Sequence, residues 1–339
     1  MKKSIVFRAD SSPEIGMGHV YRLISLIKYL HIDFDCTLVT NNIKILPHDD
    51  LLNINLKLNE INTSFKYCTP DKKKHDQEID FDIESILNGD EIVILDGYWF
   101  GHKYQQEAKL RGAKVIVIDD FANGFYNADI IINHAPGITA KFYNILPHTK
   151  LLLGPDFSIL RPSFLKLARM QIEVIKKKKS VFICFGGSDY FNFTDVIVET
   201  VVRSALFEEI HVVVGKGYLQ INKLKEKYGS TIILHYDLNE VNMACLMNIC
   251  ELAIIPSSSV LYEAIAAGCK IITGYYSNNQ KTIYEGFLAT SMVVGCQDFS
   301  DFPSSFLSIY KKILEVSTSK KIIDGMSDKR IKFAIENLC

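Results

Sequence analysis

The residues best suited to chemistry lie near the amino terminus: Asp10, Gly16, Gly18, His19 and Arg22. An apolar run ending at Arg8 leads into the polar stretch Ala9-Asp10-Ser11-Ser12-Pro13-Glu14-Ile15-Gly16-Met17-Gly18-His19. Val20, Leu23, Ile24, Ile27 and Leu30 then recur at the spacing of one helix face. His19 and Arg22, three apart, share a different face beside the helix start. Gly16 and Gly18 permit a tight turn and a close approach of backbone to a ligand. An imidazole at a helix N-terminus sits at the positive end of the dipole, which favours its neutral form. That is the form able to take a proton near neutral pH. His19 is therefore the candidate general base. A histidine that merely caps the helix would not need Asp10 and so many polar neighbours.

Other turns after apolar runs carry polar groups. Asp96-Gly97-Tyr98 follows Glu91–Leu95, and Gly186-Gly187-Ser188-Asp189 follows Ser180–Phe185. Two glycines after a buried strand leave backbone N–H groups open toward an anion. Ser257, Ser258 and Ser259 open a helix that carries Glu263, and hydroxyls with free amides at a helix start suit a diphosphate. Glu263 lies one turn beyond Ser259, within reach of ribose hydroxyls. Asn278, Asn279 and Gln280 form an amide cluster at the next helix start. Ordinary turns and N-caps also explain the glycine and serine signals taken singly.

These turns must be positioned by strands and helices. Short β-branched runs recur, each followed by a helical pattern: Ser4–Arg8, Asp35–Thr40, Glu91–Leu95, Lys114–Ile118, Asp129–Asn133 and Leu151–Gly154 in the first half, then Ser180–Phe185, Glu209–Val214, Thr231–His235, Leu252–Pro256 and Lys270–Thr273. Between them lie helical segments such as Gly18–Leu30, His102–Arg111, Phe193–Ala205, Asn239–Cys250 and Ser258–Ala267. Strands apolar on both faces, alternating with helices, predict parallel sheets covered by helices. The series occurs twice, so an α/β chain of two Rossmann-like domains is expected: residues 1–160 carrying the base, and residues 161–320. A terminal helix over 321–339 can return to the first domain. In such sheets ligands sit beyond the carboxyl ends of the strands, where the polar turns fall. Residues 53–79 resist assignment.

Composition narrows the function classes. With 48% hydrophobic residues in 339, two cores can be buried. A net charge of −1 leaves no electrostatic footprint for nucleic acid or an anionic membrane. The basic run Lys176–Lys179 reads as a solvated helix end or linker. The eight cysteines form no C-x-x-C pair, and Cys184 and Cys245 read as small core residues. No spacing of metal ligands occurs, so no metal or other cofactor is expected. Neither a signal peptide nor a membrane span is read, which suits a cytoplasmic enzyme. The oligomeric state is not legible.

Arg8-Ala9-Asp10 with Gly16-Met17-Gly18-His19 and Arg22 resembles the opening of the UDP-2,4-diacetamido-2,4,6-trideoxy-β-L-altropyranose hydrolases of pseudaminic acid biosynthesis. The resemblance continues through Leu95-Asp96-Gly97-Tyr98, Ile118-Asp119-Asp120, Asn133, Leu160-Arg161-Pro162-Ser163-Phe164, Phe185–Asp189, Met243 and Met247, Glu263-Ala264, Asn279-Gln280, Asp324-Gly325 and Arg330-Ile331. It implies a GT-B-like fold, with the two sheets facing across a cleft, and a metal-independent hydrolase that releases UDP from the anomeric carbon of a UDP-sugar. It further implies that His19 is the base for water, that Tyr98 touches the sugar or orients that water, and that Asp10 is a sugar ligand or a partner of the base. Gly18, Arg22 and Asp96 fall in the substrate site. Gly186, Gly187, Ser188, Ser257, Ser258, Ser259, Glu263, Asn279 and Gln280 would hold UDP. The chain departs from the family pattern at Gly97 and at Pro256–Ser259. A GT-B glycosyltransferase would use the same loops, with His19 deprotonating a sugar hydroxyl. A non-catalytic nucleotide-sugar sensor would need only the second domain.

Overall fold

The computed structural model describes residues 2–12, 16–46, 51, 54, 56–61, 83–170, 177–316 and 322–338. The chain divides into two compact units, Met1–Pro162 with Met326–Cys339, and Ser163–Gly325. Most of the segment 53–79 lies outside the described residues, as does Lys176.

The first unit is built on a seven-stranded sheet, β3-β2-β1-β4-β5-β7-β9, whose strands are all parallel. In chain order these are β1 Ser4–Arg8, β2 Asp35–Thr40, β3 Leu56–Glu60, β4 Ile92–Asp96, β5 Lys114–Ile118, β7 Ile130–Asn133 and β9 Lys150–Leu153. Two short strands, β6 Phe125–Tyr126 and β8 Asn144–Ile145, pair separately. Alternation sends Ile5, Phe7 and Ile94 to one face and Val6, Val93 and Leu95 to the other. The first face packs against Val20, Leu23, Ile24 and Ile27 of helix α1, Gly18–Leu30. Ile331, Ala334 and Ile335 of the last helix, Ser327–Glu336, join the same core. Ile331 and Ile335 are fully buried, and burial of each contributes about 2 kcal/mol. The other face packs against Tyr104 and Ala108 of the helix His102–Leu110.

The second unit repeats the plan with a six-stranded parallel sheet, β12-β11-β10-β13-β14-β15. Its strands are β10 Lys177–Cys184, β11 Glu209–Val214, β12 Ile233–Tyr236, β13 Cys250–Pro256, β14 Lys270–Gly274 and β15 Val293–Gly295. Val181, Ile183, Val212, Leu252 and Ile254 pack against Ile197, Val198 and Val201 of the helix Phe193–Ser204, and against Phe302 and Phe306 of the helix Phe302–Glu315.

The strand order reverses once in each sheet. In the first, β1 leads outward to β2 and β3, and β4 then returns to its other side; in the second, β10 and β13 are the corresponding pair. Loops diverge at such a switch point and leave a crevice beyond the strand ends.

The edge strand Leu56–Glu60 falls in the unassigned segment although Ile54, Leu56 and Leu58 alternate along it; Ile54 and Leu56 pack against the core, while Leu58 is exposed. Lys177–Lys179 begin β10 and are not a linker. Cys245 is exposed, since the helix Glu240–Ile249 turns Met243, Ala244, Leu246 and Met247 inward and Cys245 outward. Cys184 is buried.

Candidate functional site

At the switch point of the first sheet, His19 follows β1 and Asp96 ends β4. His19 Nδ1 lies 2.6 Å from Asp96 Oδ1, and both residues are buried. A carboxylate only accepts, so the 2.6 Å contact requires the hydrogen on Nδ1; an uncharged ring then has its lone pair at Nε2, and the 3.0 Å approach of Arg22 Nη2 to the same Nδ1 is a packing contact and not a hydrogen bond. Arg22, one turn along α1, donates to Asp96 through Nε at 2.9 Å and Nη2 at 2.6 Å. The same guanidinium reaches Asp120, just beyond β5, through Nη1 at 2.5 Å and Nη2 at 3.1 Å. Asp120 also accepts from the Tyr98 hydroxyl at 2.9 Å. The chain of contacts closes on itself, because the Tyr98 ring stands edge-on to His19 with centroids 4.8 Å apart. Gly97 permits this turn: a Cβ there would meet Trp99 Cζ2 at 2.6 Å.

Burial alone would lower the Arg22 pKa, but Asp120 and Asp96 together raise it well above its ordinary value. Burial would raise that of Asp120, yet Arg22 holds its carboxyl far below the usual range. Burial, reinforced by Asp120, lifts the Tyr98 phenol well above its ordinary value, so Tyr98 acts as a hydrogen-bond donor and not as a base. A second histidine, His134, follows β7 and is 3% exposed. Burial, aided by Arg22, pushes it down to about 4. It is neutral in the folded protein through the range where the unfolded chain takes up a proton. Stability is therefore lost as pH falls from about 6.5 toward 4, by about 2 kcal/mol at pH 5. Urea unfolding at pH 7.5 and 5 should show His134→Gln losing that much less than the parent; equal losses would mean that the buried ring protonates in place.

Three sequence candidates in this unit have their oxygens or nitrogens committed within the protein. Asp10 is fully buried and bonded twice by Arg8, at 2.5 and 2.8 Å, and once by the Asn41 N–H at 2.9 Å. It fastens the loop after β1 to the loop after β2, and its burial removes it from contact with a sugar. Asp96 is fully buried and pairs with both the imidazole and Arg22, while Arg22, about as little exposed as His19 itself, commits its guanidinium to Asp96 and Asp120. Gly18 is exposed at the helix start.

In the second unit the polar turns fall at the carboxyl ends of β10, β13 and β14. Gly186 and Gly187 are exposed, and Ser188 is half-buried. Gly186 takes φ +87°, which favours glycine. Asp189 closes this turn by accepting from the Phe193 and Thr194 N–H groups at 3.0 and 2.7 Å. Beside it runs a second glycine turn that the sequence reading missed, Gly215-Lys216-Gly217 after β11. The Gly217 N–H donates to Gly187 O at 3.0 Å, and a Cβ at Gly215 would stand 2.7 Å from Gly187 Cα. The repeated glycine after a strand was the available signal.

Ser258 and Ser259 are half-buried at the start of the helix Ser259–Ala266. Ser257 is not placed to bind a ligand: it is fully buried, its N–H donates to Gly274 O at 2.8 Å, and its hydroxyl pairs with Thr273 Oγ1 at 2.9 Å. It ties β13 to β14. Glu263 is buried in the same helix. Asn279 Oδ1 accepts from the Ser277 hydroxyl at 2.6 Å, and buried Gln280 accepts from the Tyr276 N–H at 3.1 Å. Gln280 therefore holds its own loop. Among the described residues, no group of three or more His, Cys, Asp or Glu side chains could hold a metal ion, and no helix is long and apolar enough to cross a membrane.

Solved structures match this architecture along the whole chain. MurG of Acinetobacter baumannii aligns at a TM-score of 0.62 with 13% identity, over 99% of this chain and all of that one. The calicheamicin glycosyltransferase CalG4 aligns at 0.59 with 11% identity, over 99% and 94%. Identities that low speak for the fold alone, and the fold is α/β, GT-B-like, with two Rossmann-like units. By sequence, the chain is a relative of the UDP-2,4-diacetamido-2,4,6-trideoxy-β-L-altropyranose hydrolase of Campylobacter jejuni, 26% identical over 82% of this chain and 93% of that protein. It is also 28% identical to the uncharacterized protein MJ1062 of Methanocaldococcus jannaschii over 85% of its own length, and spans 58% of that protein. No protein-family model matches the chain.

Proposed function

We propose that the chain is an enzyme that hydrolyses a UDP-sugar, with a UDP-2,4-diacetamido-2,4,6-trideoxyhexose as substrate and UDP and the free sugar as products, in the synthesis of a nonulosonic acid of the pseudaminic type. The observation that carries the reading is the carboxylate–imidazole pair of Asp96 and His19 at the end of the first sheet. The name of the Campylobacter relative supplies the substrate class.

The units divide the work. In the first, His19 Nε2 takes a proton from water as the oxygen bonds to C1. Asp96 keeps Nδ1 protonated and faces the positive charge that the ring acquires. Tyr98, a donor held protonated by burial and Asp120, is the group suited to orient the water or a sugar oxygen. In the second unit the Gly186–Gly187 turn and the helix start at Ser258–Ser259 take the diphosphate. As the C1–O bond breaks, the electron pair passes to the β-phosphate, and the N–H groups of the glycine turn with the Ser258 and Ser259 hydroxyls are the donors suited to stabilise that charge. The Ser258 N–H itself donates to Pro256 O at 2.9 Å.

The test is proton NMR of the protein with the candidate UDP-sugar and no acceptor, with and without chelator. UDP and free sugar should appear at equal rates. UDP release that requires an added acceptor would assign the chain to glycosyl transfer, in which the same imidazole deprotonates a hydroxyl. Turnover abolished by chelator would remove the metal-independent route.

A further inference from the structure

Asp120 is the charged group of the first site that the sequence reading gave no role. It is 6% exposed and touches Arg22 and Tyr98, not the imidazole. Its charge is nonetheless felt by His19 and His134. Against His19 stand Asp96 at the end of β4, Tyr98 and Trp99 in the turn after it, and Arg22 on α1 itself; Asp120 after β5 and His134 after β7 complete the ionisable groups of the cluster through Arg22 and Asp96. Two carboxylates stand against one guanidinium, while Tyr98 and His134 are uncharged near neutrality. The cluster thus carries one net negative charge when the imidazole is neutral and none when it is protonated.

We propose that Asp120 is a positioning residue for the base: through Arg22 it locks the Asp96–His19 pair, and it supplies the negative charge that the imidazole neutralises on taking the proton from water. Without Asp120 the guanidinium would cancel Asp96, and the ring would gain its charge beside a neutral cluster. At interior separations of several ångströms one such charge is equivalent to about one pH unit in proton affinity. A device of this kind keeps the base strong while burying it, and burial alone would weaken it.

The inference rests on the reading of His19 as base, so its test runs on the free protein. The His19 imidazole is titrated by heteronuclear NMR in the parent, in Asp120→Asn, and in Arg22→Gln/Asp120→Asn. The midpoint should fall by about one pH unit in Asp120→Asn and return to within a few tenths of the parent in the double variant, whose net charge is again −1. The double variant leaves no buried guanidinium short of a partner and serves if the single one does not fold. For variants that turn over, the acid limb of kcat/KM against pH should move with the midpoint. An unmoved midpoint in folded Asp120→Asn, or a double variant displaced as far as the single one, overturns the proposal. A midpoint that moves as stated, in a protein whose His19→Asn form retains full turnover, rejects the base reading and leaves the charge relation standing.

Discussion

His19→Asn lowers turnover by about a hundredfold or more and leaves the affinity for UDP within about twofold. Asparagine keeps a side-chain N–H that can reach the Asp96 carboxylate, so the buried carboxylate stays satisfied. It has no lone pair of sufficient basicity where Nε2 stood. Base catalysis of this kind contributes roughly two to four orders of magnitude, and all of it is lost. UDP alone has no sugar carbon to attack, and the turns proposed to hold it lie in the other unit. The measurement is turnover followed by UDP release, with UDP affinity by calorimetry. A variant that turns over at the parental rate excludes His19 from the proton transfer; a variant that loses UDP binding in proportion to turnover shows that His19 holds the nucleotide.

Arg22→Met has the largest expected effect on stability. The guanidinium is bound on both edges by carboxylates, each through two nitrogens, with all three side chains buried. Methionine fills much of the same volume and leaves two like charges facing each other out of water. Removing one partner from a buried ionic group costs about 3–5 kcal/mol, which in a unit of this size lowers the midpoint of thermal unfolding by roughly 10 °C. The sign of the pH response is fixed by the same charges. With Arg22 gone, each carboxyl holds its proton more tightly in the folded than in the unfolded chain. The variant therefore regains stability relative to the parent as pH falls toward 5. Calorimetry at pH 7.5 and 5.5 follows the gap; a gap that widens on acidification would show that Arg22 does not pair these carboxylates. Introducing Asp120→Asn beside Arg22→Met should narrow the gap at both pH values, because one of the two repelling charges is removed.

Much of this protein was readable from local sequence. Runs such as Ser4–Arg8, Lys114–Ile118 and Glu209–Val214 form the expected strands, and Gly18–Leu30 the expected helix, because side-chain alternation and helical spacing are properties of neighbours in the chain. His19 at a helix start after the first strand follows from the same kind of reading. The sequence did not show which carboxylates would meet it. Asp96 is 77 residues away from His19, and Asp120 is 98 from Arg22. They arrive only because β4 crosses to the other side of β1 and β5 then adds beside it. Tertiary structure likewise turned Asp10, Ser257 and Gln280 into ties within the protein. A polar side chain in a turn has the same spelling whether it faces solvent or an unfilled backbone partner, and burial decides between the two. Periodicity is local and was legible; charge pairing and burial depend on strand order, which the folded chain alone establishes.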